Sequence, residues 1–258
     1  CVTVAEGVSN TEFLLSSHQN AGEVSFSIGQ FSRAQAHLER AVALYDPDQH
    51  ASHAFLGADP WIMSAGFLAL NEHWIGRFHR AVRRSRDVVA RAREDRSHLF
   101  DLGLALVATA TLHQFRREAK ATLELAEAAR ALFSELGAPD MLGLSLWMRG
   151  WALSEIGEEA GIGEITEGIS LFRSCGARHF LVLAQGLLAS ANQKIGQIEG
   201  ASRALEEGFA LAQETRAWSS ARRRASAACC RGSVERTKPA RWWRRSTARS
   251  PRASILWT

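Results

Sequence analysis

Five short breaks divide this chain at intervals of about forty residues, and no other feature limits its possible folds as strongly. They are Ile28-Gly29-Gln30, Ile75-Gly76-Arg77, His113-Gln114-Phe115, Ile156-Gly157-Glu158 and Ile195-Gly196-Gln197. With Gly29, Gly76, Gln114, Gly157 and Gly196 taken as equivalent, the steps are 47, 38, 43 and 39 residues. Four of the five carry glycine, which enters the left-handed conformation that ends a helix without a Cβ penalty. Apolar residues recur at three-four spacing on both sides of each break, the signature of an amphipathic helix. Ala21, Val24, Ser25 and Ile28 share a face before the first break, and Phe31, Ala34, Leu38, Ala41 and Tyr45 share one after it. Around Gly196 the faces are Phe180, Leu183, Ala184, Leu187 and Ala191, then Ile198, Ala201, Leu205, Phe209 and Ala212. Ala, Leu, Glu and Arg dominate, and the five prolines fall at boundaries, so propensity agrees with pattern.

The second helix of a pair often has a small residue five positions past the break: Ala34, Ala81, Ala119 and Ala201. Small residues there let two antiparallel helices approach closely beside their turn. The expectation is an all-α fold, an α-solenoid of about five antiparallel pairs packed as in tetratricopeptide repeats (TPR), with steps longer than the usual roughly 34 residues. The pairs are placed at 11–45, 60–94, 97–136, 139–176 and 178–215. Residues 1–10 read as a fragment start or linker, 11–216 as a TPR-like repeat domain, and 217–258 as a basic tail. Because the first residue is Cys1 rather than Met, the chain reads as a piece of a longer protein.

The run Ala36-His37-Leu38-Glu39-Arg40-Ala41-Val42-Ala43-Leu44-Tyr45-Asp46-Pro47, followed by His50 and by Ala58-Asp59-Pro60, resembles the helical-repeat region of large bacterial multidomain proteins. Those proteins join an adenylate cyclase domain, a signalling-type P-loop ATPase and a C-terminal repeat array. His113-Gln114-Phe115-Arg116-Arg117-Glu118-Ala119 and Arg149-Gly150-Trp151-Ala152-Leu153 are similar to the same repeats, and the resemblance spans roughly residues 20–218. It implies a regulatory role in nucleotide signalling or transcriptional control. The chain itself lacks the G-x-x-x-x-G-K-[ST] phosphate cradle, and no cyclase metal-binding region is visible, so neither catalytic activity is expected of it.

The formal charge of +4 hides an asymmetry: residues 217–258 hold eleven Arg and Lys against Glu235 alone, leaving the rest of the chain at −6. The helical pattern stops after Trp218, and the Ser219–Cys230 stretch reads as a shifted frame of a further helix. The rival reading is a nucleic-acid arm, with Arg241-Trp242-Trp243-Arg244-Arg245 contacting phosphates and stacking on bases. The greasiest stretch, Leu102 to Leu112, is too short to cross a bilayer. Cys1, Cys175, Cys229 and Cys230 have neither disulfide nor zinc spacing. A cytoplasmic setting is expected.

No residue set supports catalysis, a cofactor or a metal. Arg77, Arg80, Arg84 and Arg91 line one side of the fourth helix and could receive an acidic partner, but a solvated helix face is the favoured account of them. Trp147 and Trp151 could form an aromatic ledge, but Gly150 beside them favours core packing. His50 and His53 lack further ligands. Gly157, Gly161 and Gly163 suggest a loose turn rather than a phosphate loop, since no strand precedes them and no Lys-Ser/Thr follows. Glu158-Glu159 and Glu206-Glu207 are consecutive and point apart on a helix, which rules out an acid/base pair. The functional expectation is a protein-interaction or regulatory scaffold whose concave face holds a protein, a peptide or the parent's own ATPase domain. The alternative is nucleic-acid binding through the tail.

Overall fold

The computed structural model describes residues 11–47, 58–94, 98–176 and 180–214. Among them every regular element is a helix. In chain order these are α1 (Thr11–Ser27), α2 (Phe31–Leu44), α3 (Pro60–Trp74), α4 (Phe78–Glu94), α5 (Leu99–Phe115), α6 (Ala119–Leu136), α7 (Pro139–Ile156), α8 (Ala160–Ser174), α9 (Leu181–Lys194) and α10 (198–214). They form five antiparallel pairs in an α-solenoid, as the periodic breaks require. The proposed tail and the first ten residues lie outside the described residues.

All five intrapair turns close in the same way. The amide one residue past the left-handed position donates to a carbonyl five residues back: Gln30 to Ser25 (2.8 Å), Arg77 to Glu72 (2.7 Å), and Glu118 to His113, Glu158 to Leu153 and Gln197 to Asn192 (each 2.9 Å). This is the Schellman arrangement, which satisfies carbonyls the helix end leaves open. Its left-handed residues are Gly29, Gly76, Arg117, Gly157 and Gly196. The third turn is therefore centred on Arg117 (φ 62°), three residues beyond the predicted Gln114. From Gly76 onward the steps become 41, 40 and 39 residues. The corrected register moves the small-residue position of the third pair from Ala119 to the fully buried Thr122.

The pairs bury alternate faces of their helices. α2 buries Ala34, Leu38 and Ala41, and α9 buries Ala184, Leu187 and Ala191, as their patterns predict. α1 departs from prediction: its buried residues are Leu15, Ser17, Gln19, Gly22 and Ser25, whereas Val24 is 57% exposed. In α10, Ala201 and Ala204 are buried while Ile198, Leu205 and Phe209 stay exposed. In that helix the small residues, not the large ones, meet α9.

The closest approach is between α7 and α8. A Cβ on Gly143 would lie 2.6 Å from the Gly168 carbonyl oxygen, and one on Gly150 would run into the Gly161 carbonyl and lie 2.9 Å from the Ile165 nitrogen. Gly161 is thus a helix-packing residue inside α8, and Gly163 lies in the same helix. Only Gly157 serves as a turn, which corrects the reading of all three as a loose connection. The rings of Trp147 and Trp151, 0% and 1% exposed, fill the core beside this contact. Phe67 of α3 stacks on Phe180, the residue before α9, at 6.2 Å between centroids, so the second and fifth pairs touch through this ring pair. No helix among the described residues is long and apolar enough to cross a membrane.

Candidate interaction surface

The shared register of the five turns places equivalent residues side by side along one edge of the array. Two positions before each left-handed residue stand Ser27, Trp74, Phe115, Glu155 and Lys194. Neighbours in this series touch. The rings of Trp74 and Phe115 meet edge to face at 5.2 Å, and Lys194 Nζ lies 2.8 Å from Glu155 Oε2 and donates to the Glu155 carbonyl at 2.7 Å. Arg117 adds a second cation to Glu155 at 2.9 Å. The edge is therefore aromatic over the first three pairs and closed by ion pairs over the last two.

The aromatic half is built by residues flanking the turns. Phe31, first in α2, lies parallel to Trp74 (5.8 Å, 2° between planes). His73 packs edge-on against Phe78 at 5.1 Å and over Phe115 at 6.0 Å. The cluster remains open to solvent, with Trp74 51% and Phe78 50% exposed. Tryptophan carries the largest apolar payload of any side chain, so leaving half of it in water is characteristic of contact surfaces rather than cores.

The charges around this cluster are one-sided. Glu118, held down at about 2 chiefly by the Arg116 guanidinium and also by His113, is a committed anion. Burial, reinforced by Arg116, lowers the pKa of His73 and keeps the ring neutral near neutral pH. Glu72, fully buried at the end of α3, accepts from Arg84 Nε and Nη2 (3.1 and 3.0 Å) and faces Arg80 Nη2 at 3.0 Å. Thus Glu72, Glu118 and Glu155 are all engaged from within the array. Arg33, Arg77 and Lys120, exposed at or just before the first turns of α2, α4 and α6, make no ion pair among the described residues.

These contacts reassign most residues the sequence singled out. Arg80 and Arg84 serve buried Glu72, and Arg91 lies over the rings of Tyr45 (4.9 Å) and Trp61 (4.6 Å). Three of the four arginines thus make contacts within the array, with Arg80 still 44% exposed, while Arg77 is exposed at the turn edge with no ion pair among the described residues. Tyr45 and Asp59, two residues of the family-like run, come together: the Tyr45 hydroxyl donates to Asp59 Oδ2 at 2.6 Å. Burial and that carboxylate push the hydroxyl up to about 12. Asp59 Oδ1 also caps α3 by accepting from the Trp61 and Ile62 amides.

Glu158 and Glu159 are exposed at the fourth turn. Glu207 pairs with Arg173 (2.8 Å) and accepts from Gln185 (2.7 Å), both serving the packing of α10. His50 and His53 lie outside the described residues, as do Cys1, Cys229 and Cys230; Cys175 is exposed and free. Among the described residues no three His, Cys, Asp or Glu side chains gather as a metal site would need. His18 and His37 approach at 3.0 Å between Nδ1 atoms, and burial, with the neighbouring His18 and Arg33, lowers the pKa of His37.

No protein-family model matches the chain, and no curated protein matches it. Among solved structures it is similar to a variant of a Podosopora anserina protein described as a kinesin light chain with nearly identical TPR-like repeats. That likeness has a TM-score of 0.50 and 20% identity, over 78% of this chain and 96% of that one. It is also similar to a Rap protein complexed with competence and sporulation factor, with a TM-score of 0.54 and 12% identity over 78% of this chain and 65% of that one. Identities this low establish the fold alone, an array of TPR-like repeats.

Proposed function

We propose that this array is a non-catalytic scaffold that holds a protein or peptide partner, within or beside a parent protein of the adenylate cyclase and signalling-ATPase kind. The observation that carries this reading is the half-exposed Trp74–Phe78 cluster, beside an edge where Glu155 is paired internally with Arg117 and Lys194. Aromatic residues left in water at a rigid surface are the anchors that dominate protein interfaces. The exposed rings of Trp74 and Phe78 lie at the turns, which favours the turn edge as the place of contact. The parentage rests on the family-like runs around Tyr45, Phe115 and Trp151, and the regulatory role follows from it. The Rap protein, an array similar in fold, is seen with a bound factor, and such use of the fold supports the reading.

A cross-linked complex recovered from the source cells tests it. The full chain should capture a defined protein that is lost when Trp74→Ala and Phe78→Ser are combined. The purified chain should neither hydrolyse ATP nor form cyclic AMP. Turnover by the chain itself, or a capture profile indifferent to the double substitution, contradicts the proposal. The second reading, nucleic-acid binding through residues 217–258, draws on their charge of +10 and on Trp242 and Trp243. It predicts salt-sensitive binding of single strands that weakens when both tryptophans become alanine.

A further inference from the structure

The charges along the turn edge specify more than a surface for some partner. Resting on the scaffold reading, we infer that the edge of the first three pairs receives an acidic peptide segment carrying an aromatic or large aliphatic side chain. Residues outside the 217–258 stretch carry a net −6, yet this edge inverts that sign. Its acids are neutralised in place: Glu72 by Arg80 and Arg84, Glu118 by Arg116. Arg33, Arg77 and Lys120, exposed at the starts of α2, α4 and α6 and so along the same turn edge, make no ion pair among the described residues. A partner carrying acidic residues supplies the missing counter-charges, while a basic one meets uncompensated guanidinium groups.

The apolar requirement comes from ring geometry. Phe31, Trp74 and Phe115 brace one another at 5.2 and 5.8 Å, and His73 supports Phe78 from behind. The rings are held in place before any partner arrives, so little side-chain entropy is lost on contact. A flexible acidic strand without an apolar anchor would gain only screened attraction, which fades as the Debye length shrinks from about 10 Å at 0.1 M salt to about 3 Å at 1 M. The combination selects a segment with both features. A nucleic acid, which would also satisfy the cations, is the competing occupant the experiment must separate.

Fluorescence anisotropy on the intact chain tests this with the labelled peptide Asp-Glu-Asp-Trp-Glu-Asp-Leu-Asp, its counterpart with Lys at every acidic position, and a single-stranded oligothymidylate. The acidic peptide should bind and its counterpart should not. Trp74→Ala, Phe78→Ser and Arg77→Glu should each weaken binding by roughly tenfold, the size expected of an interface anchor. Arg203→Glu, the same charge change on α10, should leave it unaltered. Phe78→Ser guards against misfolding, because Phe78 is half exposed and not stacked within the Phe31–Trp74–Phe115 row. Binding that ignores all three edge substitutions overturns the inference, and so does oligothymidylate that binds more tightly and displaces the peptide. If a cellular protein is still captured through Trp74 and Phe78 while the peptide fails to bind, the inference falls and the scaffold reading stands. Loss of both removes both.

Discussion

The contact between α7 and α8 makes the sharpest test of the packing, because two glycine-to-alanine changes should act in opposite directions. At position 150 a methyl group would lie 2.9 Å from both Ile165 Cγ1 and the Ile165 nitrogen, and would press on the Gly161 carbonyl. Comfortable contact needs about 3.5–4.0 Å, and the atoms in the way are largely backbone that cannot rotate aside. The Gly143–Gly168 approach pins the other end of the same helices, so relief requires prying α8 away as a unit. Overpacking of this kind costs about 3 kcal/mol, and the better helix propensity of alanine returns about 1. Gly150→Ala should therefore destabilise the array by about 2 kcal/mol. At position 186, in α9, nothing lies within 4 Å of the added methyl, so Gly186→Ala should stabilise by up to about 1 kcal/mol. Urea unfolding followed by far-ultraviolet circular dichroism reads both, with unchanged m-values if only stability moves. In thermal melts the shifts should be about 4–8 °C downward and 2–4 °C upward. Equal responses at the two positions would refute the close approach.

Three further outcomes follow from single residues. Replacing Arg117 by glycine and by alanine removes the same contacts to Glu155 and Trp151; the glycine variant should be about 1 kcal/mol more stable in urea, since only glycine takes the left-handed turn freely. Glu72→Ala strands Arg80 and Arg84 against a buried void. The loss should be about 2–3 kcal/mol in the same assay, below the full cost of a buried pair because Arg80 is 44% exposed and can turn to water. Burial pushes the Glu23 carboxyl from 4.5 to about 7, so its contribution is full below pH 4.5 and lost as pH rises through 7. Glu23→Gln should match the parent near pH 5 and exceed it in stability near pH 8.

How much of this was legible depended on the residue concerned. Gly29, Gly76, Gly157 and Gly196 announce their turns because few other residues reach positive φ cheaply. Arg117 makes the same turn with nothing in its side chain to mark it, so the sequence pattern puts the third break three residues early, at Gln114. Gly161 and Gly163 read as a loop because glycine weakens a helix in isolation, yet the tight approach of α7 and α8 requires glycine at position 161 inside the helix. The arginines of α4 showed their helical spacing but not their partners, since Glu72, Tyr45 and Trp61 reach them only once the pairs are folded. The turn edge was least visible of all. Trp74 and Phe78 look like core residues in any window, and their exposure arises from turns that stack in register.

The central claim is that this array works by holding a partner along its aromatic turn edge, and amide hydrogen exchange on the intact chain with and without the captured protein tests it most directly. The account predicts slowed exchange in residues 73–78 and 113–118, with 193–197 at the ion-paired end unchanged. Protection elsewhere, with the aromatic edge exchanging as it does in the free chain, would contradict it.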